Sequence, residues 1–242
     1  MCRIGVLIPP ANVTCEREYP GCAPAGYSFH FTRLARPEAT LDASSLVRMH
    51  ESAGDAADRL RAVEPAAIAY ACTSGSFLSG AGAHAEIAGQ IRERTGIPAV
   101  TTATAVLQGL KAIGARRVAV YTPYPPDITA SAVAFLAAHG LEIPAVDSHG
   151  CTQSRQVPAI APQAVAERVG ALVRPGIDAV FISCTNLGTL AVIEDLEKRH
   201  NLPVVSSNTA TLWAVLRLAG CTDDIPRIGR LGGMPAARSA AG

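Results

Sequence analysis

The apolar positions of this chain fall into short unbroken runs separated by longer stretches of helical period. Arg3 to Ile8, Ala66 to Ala71, Arg117 to Tyr121 and Asp178 to Ser183 read as strands, and their near-continuous apolar character is that of strands covered on both faces. Tyr27 to Leu34, Ala99 to Thr101, Leu141 to Val146 and Leu202 to Ser206 read as four more. Helical patterns run over Leu41 to Val63, Thr104 to Ile113, Ile128 to Ala138, Ala161 to Val173 and Leu187 to Arg199, and Thr73 to Phe77 reads as a turn into a further helix that runs to about Thr95. A last helix, capped by Ser207-Asn208-Thr209, runs to Gly220. Gly96-Ile97-Pro98, Gly114, His139-Gly140 and Arg174-Pro175-Gly176 are stop signals. Asp147 to Pro158 has no clear period and is expected to be a polar loop, and the tail after Gly220 is expected to be extended or partly disordered.

Strand and helix alternate throughout, which calls for an α/β fold with mainly parallel sheets. The order strand, helix, strand ending in cysteine, helix, strand occurs twice, the second round beginning near Thr104–Arg117. Two similar lobes follow from that repeat. The first is expected to span 1–103 plus 207–242 and to carry Cys72; the second, 104–206, carries Cys184. The final helix is expected to return to the first lobe.

The repeat draws attention to two strand ends. Ala67-Ile68-Ala69-Tyr70-Ala71-Cys72-Thr73-Ser74 and Ala179-Val180-Phe181-Ile182-Ser183-Cys184-Thr185-Asn186 both end in Cys-Thr plus a short polar residue, and both lead into a helix. A thiol has a pKa near ~8.5, and a helix N-terminus lowers it. Thr73, Ser74, Thr185 and Asn186 offer amides and hydroxyls, so each corner reads as a thiol beside a small anion nest. Burial alone explains one cysteine at a strand end. It does not ask for Cys-Thr twice. Cys2, Cys15, Cys22, Cys151 and Cys221 lack this context and read as packing. The loops at Asn12, Tyr124 and Ser206-Ser207-Asn208 also lie at strand exits, where ligands of open α/β sheets gather.

Composition narrows the function. Of 242 residues, 49% are hydrophobic and 17% charged, a globular balance. The net charge is +1, the basic residues are scattered and aromatics are only 5%, so nucleic acid is not an expected partner. No apolar run approaches the ~20 residues of a membrane span, and the N-terminal residues enter a strand directly rather than a signal peptide. A cytoplasmic protein with reduced thiols is expected. No Cys-x-x-Cys or His-x-x-x-His spacing suggests a metal. Pro9-Pro10 stands where a dinucleotide fold needs Gly-x-Gly-x-x-Gly, which argues against nucleotide binding at that loop. No histidine has a cysteine at hydrogen-bonding sequence spacing, and Glu16 with Glu18, or Asp223 with Asp224, read as solvated charge.

Ile8-Pro9-Pro10-Ala11-Asn12, Tyr70-Ala71-Cys72-Thr73-Ser74, Thr122-Pro123-Tyr124, Ser183-Cys184-Thr185, Pro203-Val204-Val205-Ser206-Ser207 and the stretch Thr104–Val120 resemble the aspartate/glutamate racemase superfamily, within it the maleate cis-trans isomerase and arylmalonate decarboxylase branch. The resemblance covers about Ile4 to Gly220. It implies two Rossmann-like lobes related by pseudo-twofold symmetry, a site in the cleft between them, and neither cofactor nor metal. It also implies a small mono- or dicarboxylate as substrate. A homo-oligomer is expected, with no nucleic acid and no membrane as partner. The maleate isomerases resemble this chain in having both cysteines, the loop asparagine (here Asn12) and the tyrosine (here Tyr124). The decarboxylases are similar in the turn Thr73 to Phe77 but have glycine where Cys72 stands.

The expected function is therefore a two-cysteine isomerase, of the maleate isomerase type or a racemase, acting on a small carboxylic acid. Cys72 and Cys184 are the expected catalytic pair, with Asn12, Thr73, Ser74, Tyr124, Thr185, Asn186 and Ser207 as substrate contacts. Where the isomerases place a second loop asparagine, this chain reads Cys151-Thr152-Gln153-Ser154-Arg155, and Gln153 or Arg155 is the expected substitute. A decarboxylase using Cys184 alone and a non-catalytic carboxylate-binding protein are the alternatives.

Overall fold

The structure is a computed structural model and describes residues 1–36, 41–78, 80 and 82–236. Its first half contains β1 (Cys2–Ile8), α1 (Thr14–Glu18), β2 (Tyr27–Arg33), α2 (Ala43–Arg48), α3 (Ala53–Arg61), β3 (Ala67–Tyr70), α4 (Thr73–Phe77), α5 (Ala83–Thr95), β4 (Ala99–Thr101) and α6 (Thr102–Ala112). The second contains β5 (Arg117–Thr122), α7 (Pro126–Ala138), β6 (Glu142–Ser148), α8 (Pro162–Leu172), β7 (Ala179–Ile182), α9 (Leu190–His200), β8 (Val204–Ser206) and α10 (Ser207–Leu218). The strands form two four-stranded parallel sheets of the same order, β2-β1-β3-β4 and β6-β5-β7-β8. The duplicated pattern in the sequence is thus a duplicated lobe.

The unbroken apolar runs have the expected cause. Along β5, Val118 and Val120 belong to one buried cluster and Ala119 and Tyr121 to another, so successive residues face two cores. In each sheet the order reverses between the first strand and the third. The crevice at such a reversal opens at the carboxyl ends of those strands. The loops there follow β1 and β3 in one lobe and β5 and β7 in the other, and they hold Asn12, Cys72, Tyr124 and Cys184. Helix α10 packs on α6, on β3 and β4 of the first sheet, and on β8 of the second.

The structure departs from the sequence reading in several places, among them helix α1 and the 3-10 turn Ser154–Ala159 within the expected loop. The helix expected over Leu41 to Val63 is two helices joined by a 3-10 turn at Met49–Ser52. The turn expected at Thr73–Phe77 is itself a short helix, and the helix expected to follow it begins at Ala83; between them Gly80 has φ +110°, which a helix does not accommodate. The tail is packed rather than extended as far as Met234. Ile225, Ile228 and Leu231 are buried, Trp213 Nε1 donates to the Met234 carbonyl, and Arg217 donates to the carbonyls of Cys221, Asp223, Gly232 and Met234. Residues 237–242 of the expected tail lie outside the described residues. Among the described residues no helix is long and apolar enough to cross a membrane.

The tail turns tightly at Gly232, where an added Cβ would stand 2.2 Å from the Ile225 carbonyl oxygen. A backbone atom cannot swing aside as a side chain can. Gly232→Ala is expected to destabilise the protein by about 2–3 kcal/mol. Urea unfolding would show this as a lowered midpoint at unchanged slope.

Candidate active site

Cys72 follows β3 and is the N-cap residue of α4, in extended conformation and 4% exposed. Cys184 follows β7 and has φ +94°, a region that costs a non-glycine residue of order 1–3 kcal/mol. The surroundings hold it there. Its N–H donates to Ser207 Oγ at 2.9 Å, and the same oxygen accepts from Thr73 Oγ1 at 2.9 Å. In the other direction Thr185 Oγ1 donates to the Ala71 carbonyl at 2.9 Å. Each Cys-Thr corner therefore uses its threonine hydroxyl to hold the opposite segment.

Asn12 and Asn186 extend this seam. Asn12 Oδ1 accepts from the N–H groups of Thr14 and Cys15 in the first turn of α1, and its Nδ2 donates to Thr185 Oγ1 at 3.2 Å. Asn186 Oδ1 accepts from the Val13 N–H, and its Nδ2 donates to the carbonyls of Ala11 and Ser154. Behind the loop, the Glu18 carboxylate accepts from the N–H groups of Thr189 and Leu190 and from Asn208 Nδ2. Glu18 is thus not the solvated charge expected from the sequence but a cap on α9, and burial raises its pKa.

These groups enclose about 380 Å³ of atom-free space, part of it open to solvent. Cys72, Cys184, Asn12, Thr73, Ser74, Tyr124, Thr185 and Asn186 all line it. Ser207 does not. It is fully buried behind the two corners, where its Oγ accepts from the Cys184 N–H and from Thr73 Oγ1. Gln153 and Arg155 are absent from the lining too. The Gln153 side chain caps the 3-10 turn Ser154–Ala159, and Arg155 is exposed. Ser154 faces the cavity in their place. Pro9 and Ala11 of the first loop complete the wall with Arg36, Leu41, Leu46 and Val157, and these last four were not singled out from the sequence. The strand-exit rule applied to Tyr27–Leu34 points to Arg36.

The two thiols differ. Burial pushes Cys184 up to about 12, against the N–H of Asn186 and the Tyr124 phenol, with the nearby Cys72 adding to the rise. Burial also raises Cys72, but the Gly75 N–H, the Arg36 charge and the Ser74 hydroxyl oppose it. The rise at Cys72 is thus opposed by a nearby cation, and the rise at Cys184 by hydrogen bonds only. Tyr124 is fully enclosed and its phenol stays protonated, raised first by burial and then by the charge of Cys184. Beside Cys72, the buried Tyr70 hydroxyl has no hydrogen-bond partner among the described residues.

Gly75 sets how close α4 comes to the thiol. A Cβ there would lie 2.9 Å from Cys72 Sγ, 3.0 Å from Tyr70 Oη and 3.2 Å from Met49 Cε. Gly75→Ala is expected to displace the sulfur and lower turnover about a hundredfold, since a reacting group misplaced by ~1 Å costs on that order. The check is kcat measured beside the thermal midpoint. The loss should exceed what the change in folded fraction explains.

A family model described as arylmalonate decarboxylase matches residues 4–232. The chain belongs to this family, in the branch of the aspartate/glutamate racemase superfamily that holds arylmalonate decarboxylases and maleate isomerases. It is 36% identical over 227 residues to the arylmalonate decarboxylase of Bordetella bronchiseptica, covering 90% of each chain. It is 30% identical over 239 residues to the maleate isomerase of Nocardia farcinica, covering 95% of this chain and 94% of the relative. Among solved structures it is similar to a mutant of the Nocardia farcinica maleate cis-trans isomerase with a covalently bound succinylcysteine intermediate. There the TM-score is 0.90 at 27% identity, over 96% of this chain and 98% of that one. These relatives are enzymes of two kinds, one isomerising and one decarboxylating.

Proposed function

We propose that this chain is a cofactor-independent isomerase that uses Cys72 and Cys184 together on a small carboxylic acid. The observation that carries the reading is the presence of both thiols on one cavity wall, at the matching strand ends of the two lobes. A decarboxylase working through Cys184 alone gives Cys72 no task. The bound succinylcysteine of the Nocardia farcinica relative supports thiol addition to a four-carbon acid as chemistry this fold accommodates.

In the cis-trans version, the Cys72 thiolate adds to one carbon of the double bond. The electron pair moves toward the carboxylate, giving an enediolate held by the amides of the Cys-Thr corners with Asn12 and Tyr124. Cys184 donates its proton to the neighbouring carbon. The single bond rotates, Cys184 recovers a proton from that carbon, and the Cys72 thiolate leaves, so enzyme and proton count are restored. The asymmetry of the thiols supports this division of labour, because the charge-supported sulfur is Cys72. In the racemase version the two thiols flank an α-carbon; one takes its proton and the other returns one to the opposite face.

Proton NMR in D2O with maleate, aspartate, glutamate, hydantoins and arylmalonates tests the reading. Isomerisation, or α-proton exchange with inversion, is the expected outcome. Carbon dioxide release from arylmalonates alone, undiminished in Cys72→Gly, would replace it with the decarboxylase reading, which the 36% identity to such an enzyme favours.

A further inference from the structure

Tyr70 ends β3, and the Cys72 N–H donates to the Tyr70 carbonyl at 3.1 Å. This tight turn keeps the two residues beside each other. The Tyr70 side chain is fully buried, and its Oη has no hydrogen-bond partner among the described residues. Protein interiors rarely leave a hydroxyl unpaired, and each case asks for a reason. Phenylalanine would fill the same space without the unpaired group.

The surroundings hold this hydroxyl in place without satisfying it. The His50 ring stands edge-on to the Tyr70 ring, with centroids 5.8 Å apart, and His50 Nε2 donates to the Gly75 carbonyl. A Cβ at Gly75 would lie 3.0 Å from Tyr70 Oη and 2.9 Å from Cys72 Sγ. Oxygen and sulfur therefore approach the same point of α4, where the helix presents only a glycine. The Gly75 N–H and the Ser74 hydroxyl also reach the sulfur. Hydrogen bonds to an ionised acceptor are about twice as strong as those between neutral groups, so a further donor matters most to the thiolate. Burial and the charge of Cys72 both keep the proton on the Tyr70 phenol, which leaves it a donor rather than a competing acid.

We propose that Tyr70 is a positioning residue that acts through Cys72: its hydroxyl turns to Sγ when the thiol ionises and joins the Gly75 N–H and the Ser74 hydroxyl as a seat for the thiolate. The hydroxyl is unpaired beside the neutral thiol and paired beside the free thiolate. It thereby favours the nucleophile at the start of the cycle. It also favours departure of the sulfur at the end, because a less basic thiolate is the better leaving group. The inference deepens the isomerase reading and rests on it for what the thiolate attacks.

The test is Tyr70→Phe, which deletes one oxygen. Arg36, His50, Cys184 and Tyr124 are the other titratable groups beside the pair among the described residues, and all four stay in place. Iodoacetamide alkylation of Cys72 is followed by peptide mass spectrometry on the whole protein, without substrate. Below the titration of the thiol, the rate follows the thiolate fraction, partly offset because a more basic sulfur is more nucleophilic. At pH 8 alkylation of Cys72 should be at least about threefold slower in the variant, with the rate at Cys2 unchanged. The urea midpoint should be unchanged or higher, since no hydrogen bond is lost from the resting state. On the true substrate kcat should fall at least about tenfold while KM stays within about twofold, because Tyr70 does not line the cavity. Alkylation of Cys72 as fast as in the wild type would overturn the proposal. So would a lowered urea midpoint with a loss of turnover no larger than the folded fraction explains, which is the mark of ordinary packing. Failure of the isomerase reading is distinguishable: the wild-type protein then shows no isomerisation, while Tyr70→Phe still slows alkylation of Cys72.

Discussion

Cys72→Ser and Cys184→Ser are each expected to lower turnover of the true substrate at least about a thousandfold, with the fold intact. The size follows from what is removed. A serine hydroxyl ionises far above the range of a thiol, so Cys72→Ser takes away the nucleophile that the Gly75 N–H and Arg36 support. Cys184→Ser leaves a hydroxyl at the proton-donating position, but one that neither releases nor recovers a proton at a comparable rate. Losing a group that acts in a coupled pair removes most of the pair's effect, so the double variant should be little worse than either single one. Stability should change little, because serine fits both positions and Cys184 keeps its N–H bond to Ser207. The decisive measurement is the initial rate of each variant beside its circular dichroism spectrum and thermal midpoint. A single variant with near-wild-type turnover on that substrate would end the two-thiol mechanism.

Much of this site is legible in the sequence because it is built twice. Parallel strands covered on both faces leave unbroken apolar runs, and a run ending in Cys-Thr at matching places in two halves is a pattern that packing does not require. The strand-exit rule likewise finds Asn12 and Tyr124. Other residues escape because their meaning is set by partners far along the chain. Glu18 looks like surface charge beside Glu16 until the fold brings Thr189, Leu190 and Asn208 to it. Arg36 sits in a polar stretch and acquires its place from Ser45 and Ser154. Ser207 fails in the opposite way. Its position at a strand exit suggests ligand contact, yet it is fully buried outside the cavity lining, with its Oγ accepting from the Cys184 N–H and Thr73 Oγ1. A local rule can locate the loop but not say which side chains of it are already engaged.

The same burial that shapes the thiols is expected to weaken the fold in alkali as pH rises past about 8.5. Cys15 and Cys22 are fully buried. Burial pushes Cys15 up to about 12, with the Glu18 and Cys184 charges adding to it against hydrogen bonds from Tyr19 and Asn12. Burial pushes Cys22 up to about 11 against the Arg227 charge. In the unfolded chain both ionise near ~8.5. Above that pH the folded state binds more protons than the unfolded state, so stability falls as pH rises, by about 1.4 kcal/mol per pH unit for each thiol until its folded pKa is reached. Two units above the unfolded value, the pair has cost about 5 kcal/mol, comparable to the whole stability of many domains. Cys184, also pushed up to about 12, acts in the same direction. Urea unfolding between pH 7 and 11 should therefore show a nearly constant midpoint to about pH 8.5 and a steep fall beyond it. Cys15→Ala should be less stable at pH 7, because it leaves a small cavity beside Tyr19, but its curve should be shallower above pH 8.5 by about one thiol's slope. A wild-type protein whose stability is flat to pH 11 would mean that these thiols are not held neutral. The catalytic reading would then lose its account of why Cys184 serves as an acid, since the burial that raises Cys15 is the same burial that keeps the proton on Cys184.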